Sequence, residues 1–417
     1  MTWRDGMAVL LAAYAAAAES APNAVLTSPD ATLLVWSDKD WKALPTKKTV
    51  SSGDALLVLP AERATLDLAD ALRLTLVGNT PEMHGTSTLE TIVRLGSLDP
   101  KTGVELTLER GRIILVKANH KTPLRVRLKV RDQKFDLTLR EPETTVGVEL
   151  LGRWPPGTRF NPKPADDAAP TQMMPLVVSK GELDLHLSNE QHLMTAPSFF
   201  LWDSIAGSLP RPRPADKIPS WLDHQPLSKE GQQAQAAAEK LRTRLKNKPL
   251  FDVLAAAVHD ADPAIRSVAV YGLGASDSPD LLLGALANER YADVRVAAAS
   301  ALRHWIGRGP HQDLLLYRAL LARKFTEAQA EIVVQLLHAY SPADLEKPET
   351  YETLIAYLRS KQLPIRQLAI SQLHALVPSG RKIAYDAAGP PESWQKAHDE
   401  WKRLIPDGKT PPPEKNP

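Results

Sequence analysis

The sequence predicts a multidomain α+β protein, with an N-terminal all-β antiparallel module, sandwich or barrel-like, and a C-terminal all-α solenoid. Three observations predict it. Between residues 24 and 187, short apolar runs alternate with a period of two and are broken by turn residues. From about Leu250 to Leu404 the apolar spacing becomes helical and a short motif recurs. The intervening stretch 204–227 is rich in proline, which suits a joint better than a helix interior or a central strand.

The strand signals come in order as Ala24–Leu26, Ala31–Trp36, Ala55–Leu59, Ala64–Leu68, Leu72–Val77, Val104–Leu108 and Arg112–Lys117. Leu124–Arg131 is the cleanest of them. Leu124, Val126, Leu128 and Val130 point one way while Arg125, Arg127, Lys129 and Arg131 point the other. A tight turn at Asp132–Gln133 then leads to Phe135–Leu139, and two further strands flank Lys180–Gly181. Domain boundaries follow: 24–203 for the β module, 204–227 for the linker, 228–407 for the helices and 408–417 for a disordered tail.

The helical part carries three segments in one register, Ala264–Leu273, Asp293–Leu302 and Pro364–Leu373. Each has an aliphatic residue, then Arg, then Ala, then Leu, with the apolar positions at i, i+4 and i+8 on one helix face. The arginines are Arg266, Arg295 and Arg366; the gap between the last two leaves room for a degenerate unit around Ala328–Tyr340. The pattern resembles HEAT repeats, and the resemblance implies a structural ladder in which these arginines meet acidic groups between repeats. Trp394, Ala397 and Trp401 share a helical face and suit a cap on the open end.

Composition bounds the function. Apolar residues make up 43% and charged residues 24%, with a net charge of +2, the balance of a soluble protein rather than a polyelectrolyte binder; nucleic acid is not an expected partner. There is no cysteine, so disulfides, thiol catalysis and Cys-type zinc sites are excluded. Residues 1–23 carry an apolar run, Gly6–Ala18, followed by small residues; it reads as a signal peptide or an N-terminal helix. A signal peptide would make the mature chain periplasmic or secreted, with no membrane span.

The β module resembles the periplasmic domain of the FecR family, which relays signals from outer-membrane receptors. The residues that carry the resemblance are Trp41, Leu44, Val50, Gly53-Asp54, Leu56, Ala64, Leu66 and Leu68. Leu108, Gly111–Ile113, Thr144–Val146, Gly157-Thr158 and Phe160 continue it. Where that family commonly has Asp-Gly this chain has Asp70-Ala71. With no cytoplasmic segment or membrane helix ahead of the module, a transmembrane signalling role is not expected. The pairing of such a module with helical repeats and the closing Trp394–Leu404 segment resembles bacterial exported FecR/HEAT-repeat proteins.

Motifs for chemistry are missing. The eleven histidines are scattered, and no His-Glu-x-x-His, phosphate-binding Gly-rich loop, nucleophile elbow or dinucleotide fingerprint occurs. Asp166-Asp167 reads as a solvated loop pair. No catalytic, metal or cofactor site is assigned, and no cofactor is expected. The one surface with character is the basic strand face of Arg125, Arg127, Lys129 and Arg131, a candidate for an anionic envelope polymer. Its simpler reading is the solvated side of a strand paired with acids on the next one. The expected function is non-enzymatic: a sensor-like β module and a solenoid that docks a protein partner. The alternative is a hydrolase-type enzyme acting on carbohydrate or phosphoester in an interdomain cleft near Trp202 and Trp221.

Overall fold

The computed structural model describes residues 24–68, 71–79, 89–99, 103–163, 168–187, 189–206, 211–223, 227–245 and 248–412. The apolar run within 1–23, the Asp166-Asp167 pair and the end of the tail lie outside the described residues.

The chain opens with β1 (Ala24–Leu26), β2 (Leu34–Ser37), β3 (Asp40–Ala43), β4 (Thr49–Val50), β5 (Ala55–Val58), β6 (Arg63–Leu68) and β7 (Leu72–Val77). The long strands β8 (Thr91–Asp99) and β9 (Gly103–Lys117) follow, then β10 (Leu124–Val130), β11 (Gln133–Leu139) and β12 (Thr145–Arg153). The last are β13 (Thr171–Lys180), β14 (Glu182–Leu187), β15 (Glu190–Thr195), β16 (Ser198–Asp203) and β17 (Arg213–Pro214).

They form two sheets. The first runs β4-β1-β6-β7-β9-β12-β13-β16-β17. The second runs β3-β2-β5-β8-β9-β10-β11-β14-β15, in which β9 and β10 are parallel. The sheets face each other as an open sandwich over a core that includes Leu66, Leu74, Leu106, Leu128, Leu137, Val148, Leu176 and Phe200.

β9 belongs to both sheets. The expected strands Val104–Leu108 and Arg112–Lys117 are one strand; its first half pairs with β8 and β10, its second with β7 and β12. Gly111 turns the corner at φ +99°, where a Cβ would collide with Thr91. The hairpin turn after β10 also differs by one residue: β11 already begins at Gln133, and Arg131, at φ +53°, sits in the turn. Arg131 therefore does not share the strand face of Arg125, Arg127 and Lys129.

The helices are α1 (Lys229–Arg244), α2 (Leu250–Ala257), α3 (Pro263–Leu273), α4 (Asp280–Leu286), α5 (Ala292–Ile306) and α6 (Gln312–Ala322). They continue as α7 (Glu327–Leu337), α8 (Pro342–Leu345), α9 (Pro348–Tyr357), α10 (Leu363–Leu376) and α11 (Pro391–Leu404). Asp262 caps α3 through the Ala264 N–H, with Pro263 in its first turn. Thr326 and Gln329 form a capping box on α7.

The helices and the second sheet share one apolar core. Leu34, Trp41, Ala55, Leu57, Leu59 and Ile92 turn away from the sandwich and pack with Leu241, Leu254, Val268 and their neighbours. The stretch 204–227 is also structured where it is described. β17 extends the first sheet, and Leu222 packs on Val77, Ile114 and Val177 on that sheet's outer side. Arg63 donates to the Trp221 carbonyl at 2.6 Å.

Candidate functional site

The strongest polar cluster lies where the sandwich meets α5. Glu90 precedes β8, Arg110 precedes the Gly111 corner in β9, and Arg308 follows α5. Arg110 Nε donates to Glu90 Oε1 at 2.5 Å, and Arg308 Nη2 donates to the same oxygen. Burial alone would push Glu90 up, yet the Arg308 and Arg110 guanidiniums hold it down at about 2. Arg308 also donates to the carbonyls of Gly274 and Ser276. His304 lines the same small cavity of about 30 Å³, room for no more than a water or so. Burial pushes its imidazole down to about 4.

The backbone after α5 is gripped by the sandwich. Trp154 Nε1 donates to Ile306 O at 3.2 Å, Gln172 Nε2 to Gly307 O at 3.4 Å, and Arg131 to Arg308 O. Gly152 and Gly307 approach backbone to backbone, so that a Cβ on either would collide with the other's carbonyl oxygen. Glu90 is 3% exposed with both neighbouring cations committed to it. Chemically this cluster is a joint: an ionised carboxylate pinned between two guanidiniums stays ionised and fixes a geometry.

The basic strand face is neutralised across strands. Arg127 makes a two-pronged pair with Asp136 at 2.7 and 3.1 Å, and Lys129 meets Glu105 at 2.5 Å. Arg125 is exposed on the same face, and Arg131 is drawn off to the helical domain.

The repeat arginines are all buried. Arg266 forms a bidentate pair with Asp293 at 2.9 Å and lies over the Tyr291 ring. Arg295 reaches Asp386 at 2.5 Å, Gln367 at 3.0 Å and Asn288 O at 2.8 Å. Among the described residues no acid forms an ion pair with Arg366: it donates to Ala387 O and Ser360 O and stacks on Trp394, 3.7 Å from the ring centroid. The ladder thus runs from α3 to α5 and on to α10, passing over α7. Counted from the helix start, α7 carries buried Ala330 where α3, α5 and α10 carry Arg.

Trp202 and Trp221 do not share a cleft. Trp202 is buried in the sandwich, edge-on to Phe135. Trp221 lies on the opposite side of the first sheet, beneath which Arg112 and Glu149 pair at 3.0 Å.

Helix α7, which lacks the arginine, borders an open groove. It holds the segment Trp154–Phe160, which crosses from the sandwich. Gln335 reads both sides of that backbone: its Oε1 accepts from Phe160 N–H at 2.9 Å and its Nε2 donates to Thr158 O at 3.3 Å. Gly157 N–H donates to Ala339 O at 2.8 Å, and Trp154 stacks on His338 with centroids 5.4 Å apart. A groove of about 490 Å³ continues beyond Phe160 between α7 and α9. Ile332, Leu336, Tyr340 and Tyr357 supply its apolar surface; Arg159 and Lys347 lie on its lining with Glu331 and Glu349. Burial pushes the Tyr340 phenol up to about 12. A wider recess of about 1070 Å³ lies between β3 and the α1–α2 junction.

Among the described residues no group of three or more His, Asp or Glu is placed to hold a metal ion, and no helix is long and apolar enough to cross a membrane. Sequence reasoning missed Glu90, Arg110, Arg308, His304 and the α7–α9 groove. Their partners lie far away along the chain, and no spacing rule joins them. One signal was present: Ala55–Leu59 is continuously apolar, as a strand covered on both faces must be.

No family model matches the chain, and no curated protein matches it. Among solved structures it is similar to a presumed anti-sigma factor from Parabacteroides distasonis ATCC 8503, at 11% identity and a TM-score of 0.26. The match covers 39% of this chain and 60% of that one, less than two thirds of its length. At that level it carries no argument about role.

Proposed function

We propose that this is a non-enzymatic binding protein in which a FecR-like sensor module and a HEAT-like helical stack form one rigid body that docks a protein partner. In this reading the chain is exported and acts in the periplasm or outside the cell. The observation that carries it is where the charge and the open surface lie. Three strongly perturbed groups, Glu90, His304 and Arg308, are consumed in the joint between sandwich and helices. The open groove is instead floored by aliphatic and aromatic side chains with polar rims, the make-up of a recognition surface.

The shared core dictates the experiment. Neither half is expected to fold without the other, so the whole chain is the bait. A photo-crosslinking residue at Thr353, exposed on the groove wall, should join the protein to one specific partner in native cells; the same residue at Arg125 should not. Equal, indiscriminate labelling from both positions, or none from either, would sink the docking reading and turn attention to hydrolase assays.

A further inference from the structure

We infer that the chain pairs with a second copy of itself through β15, the terminal strand of the second sheet, as an antiparallel two-fold dimer. This edge lies at the opposite end of that sheet from β3 and is separate from the groove that carries the docking reading.

Among the described residues four strands end the two sheets, β4 and β17 on the first and β3 and β15 on the second. Three of them are guarded against pairing with another chain. β4 and β17 are only two residues long, and Pro214 offers no N–H. On β3 the Asp40 carboxylate accepts the Trp41 N–H at 2.8 Å, and Lys42 stands exposed beside it. β15 has none of these devices. It runs for six residues, Glu190–Thr195, with no proline, lysine or arginine and no bulge in its pairing with β14. Leu193, near its middle, is 55% exposed.

The register fixes which backbone groups face outward. Ala196 N–H donates to Gly181 O at 3.0 Å, and in the same ladder Met194 and His192 bond to β14. The N–H and C=O groups of Gln191, Leu193 and Thr195 therefore point off the sheet, and none has a backbone partner among the described residues. This set is its own complement. A two-fold axis at Leu193 sets that residue against Leu193 of the second copy, and Gln191 against Thr195, so each outward N–H meets a carbonyl. The exposed leucines then cover each other on the outer face. The strand's one acid, Glu190, faces Ala196 of the second copy, so no like charges meet across the axis.

A six-residue edge makes a small interface, so a dimer that dissociates on dilution is expected. Sedimentation velocity on the full chain should show monomer passing to dimer as concentration rises. Leu193→Lys sets two ammonium groups opposite each other and should keep the chain monomeric throughout, with thermal melting unchanged because the position is exposed. The absence of cysteine allows the register itself to be read. In the paired strands the two Leu193 Cα atoms lie about 5.5 Å apart, within disulfide reach, and the two Gln191 Cα atoms about 14 Å apart. Leu193→Cys should therefore oxidise to a covalent dimer roughly tenfold faster than Gln191→Cys, which is also exposed. A chain that stays monomeric at every concentration would overturn the inference and leave the edge to a strand of another protein. A dimer indifferent to Leu193→Lys, or equal oxidation of the two cysteine variants, would overturn it as well. Should Leu193→Lys fail to fold, the two cysteine variants still decide.

Discussion

β5 and β10 lie in one sheet and meet different fates. The row Ala55–Arg94–Thr107–Lys129 crosses that sheet on its outer side, from a half packed on helices to a half open to water. On β5 all four residues are buried: Leu56 and Val58 enter the sandwich, Ala55 and Leu57 enter the helical core. On β10 only Leu124, Val126, Leu128 and Val130 are buried, and the residues between them are charged, with Arg127 and Lys129 paired to acids on the neighbouring strands. The sandwich core fixes one face of each strand. The other face decides where a second domain can sit, because only an apolar outer face offers the hydrophobic gain that docking requires.

The comparison breaks most visibly at the joint. Glu90→Gln removes the carboxylate that pairs with both Arg110 and Arg308 and leaves buried cations behind. A loss of about 4 kcal/mol is expected in urea unfolding, the scale for stripping one partner from a buried pair. Tryptophan fluorescence and far-UV circular dichroism should report one coincident transition, since sandwich and helices share a core. Two separated transitions would show the halves to be independent and the comparison misconceived. Leu57→Ala tests the apolar side of the same claim. It empties a fully buried position beneath the helices and should cost about 3 kcal/mol, again in a single transition.

pH sharpens the contrast, because the covered half holds titratable groups far from their ordinary values. Burial carries His304 from 6.5 down to about 4 despite Glu90's pull, with Arg308, Arg303 and Arg112 adding to the drop. Between those values the unfolded chain takes up a proton that the folded chain refuses. His304's contribution is therefore complete above pH 6.5 and falls as pH drops toward 4, by roughly 3 kcal/mol, while Glu62, which burial pushes up to about 7, acts in the opposite sense between 7 and 4.5. Glu90 acts in the same sense as His304 further down, its contribution present above 4.5 and lost toward about 2. Urea melts at pH 7, 5.5 and 4 should lose more stability toward acid in the parent chain than in His304→Gln, the difference being His304's share. An unchanged slope in that variant would remove His304 as its source.

Much of this was legible in local pattern. Period-two runs gave the strands because half-buried strands must alternate, and the aliphatic–Arg–Ala–Leu register marked α3, α5 and α10 because their shared faces pack alike. α7 was legible only as a gap in that register. β9 was read as two strands because Glu109, Arg110 and Gly111 interrupt the apolar run where it changes sheets. The joint and the groove were out of reach. Glu90 meets Arg308, and Phe160 meets Gln335, only after two domains have packed, and each is an ordinary polar or aromatic residue in its own neighbourhood.

The smallest expected effect belongs to the open half of the sheet. Arg127 is half-exposed, its bidentate pair with Asp136 is screened by water and salt, and truncation removes no buried contact. Arg127→Ala should shift stability by less than about 0.5 kcal/mol, against the several lost at Leu57 in the same sheet. The same variant bears on anionic ligands. With Arg127 and Lys129 each facing a carboxylate, Arg125 and Lys134 are left on that face without an ion-pair partner among the described residues, too little charge for a polyanion site. Retention on a sulfated-polysaccharide column at low salt should be the same for Arg127→Ala and the parent chain. A clear loss of retention would mean that the Asp136 and Glu105 pairs open to a ligand, and that the open half binds after all.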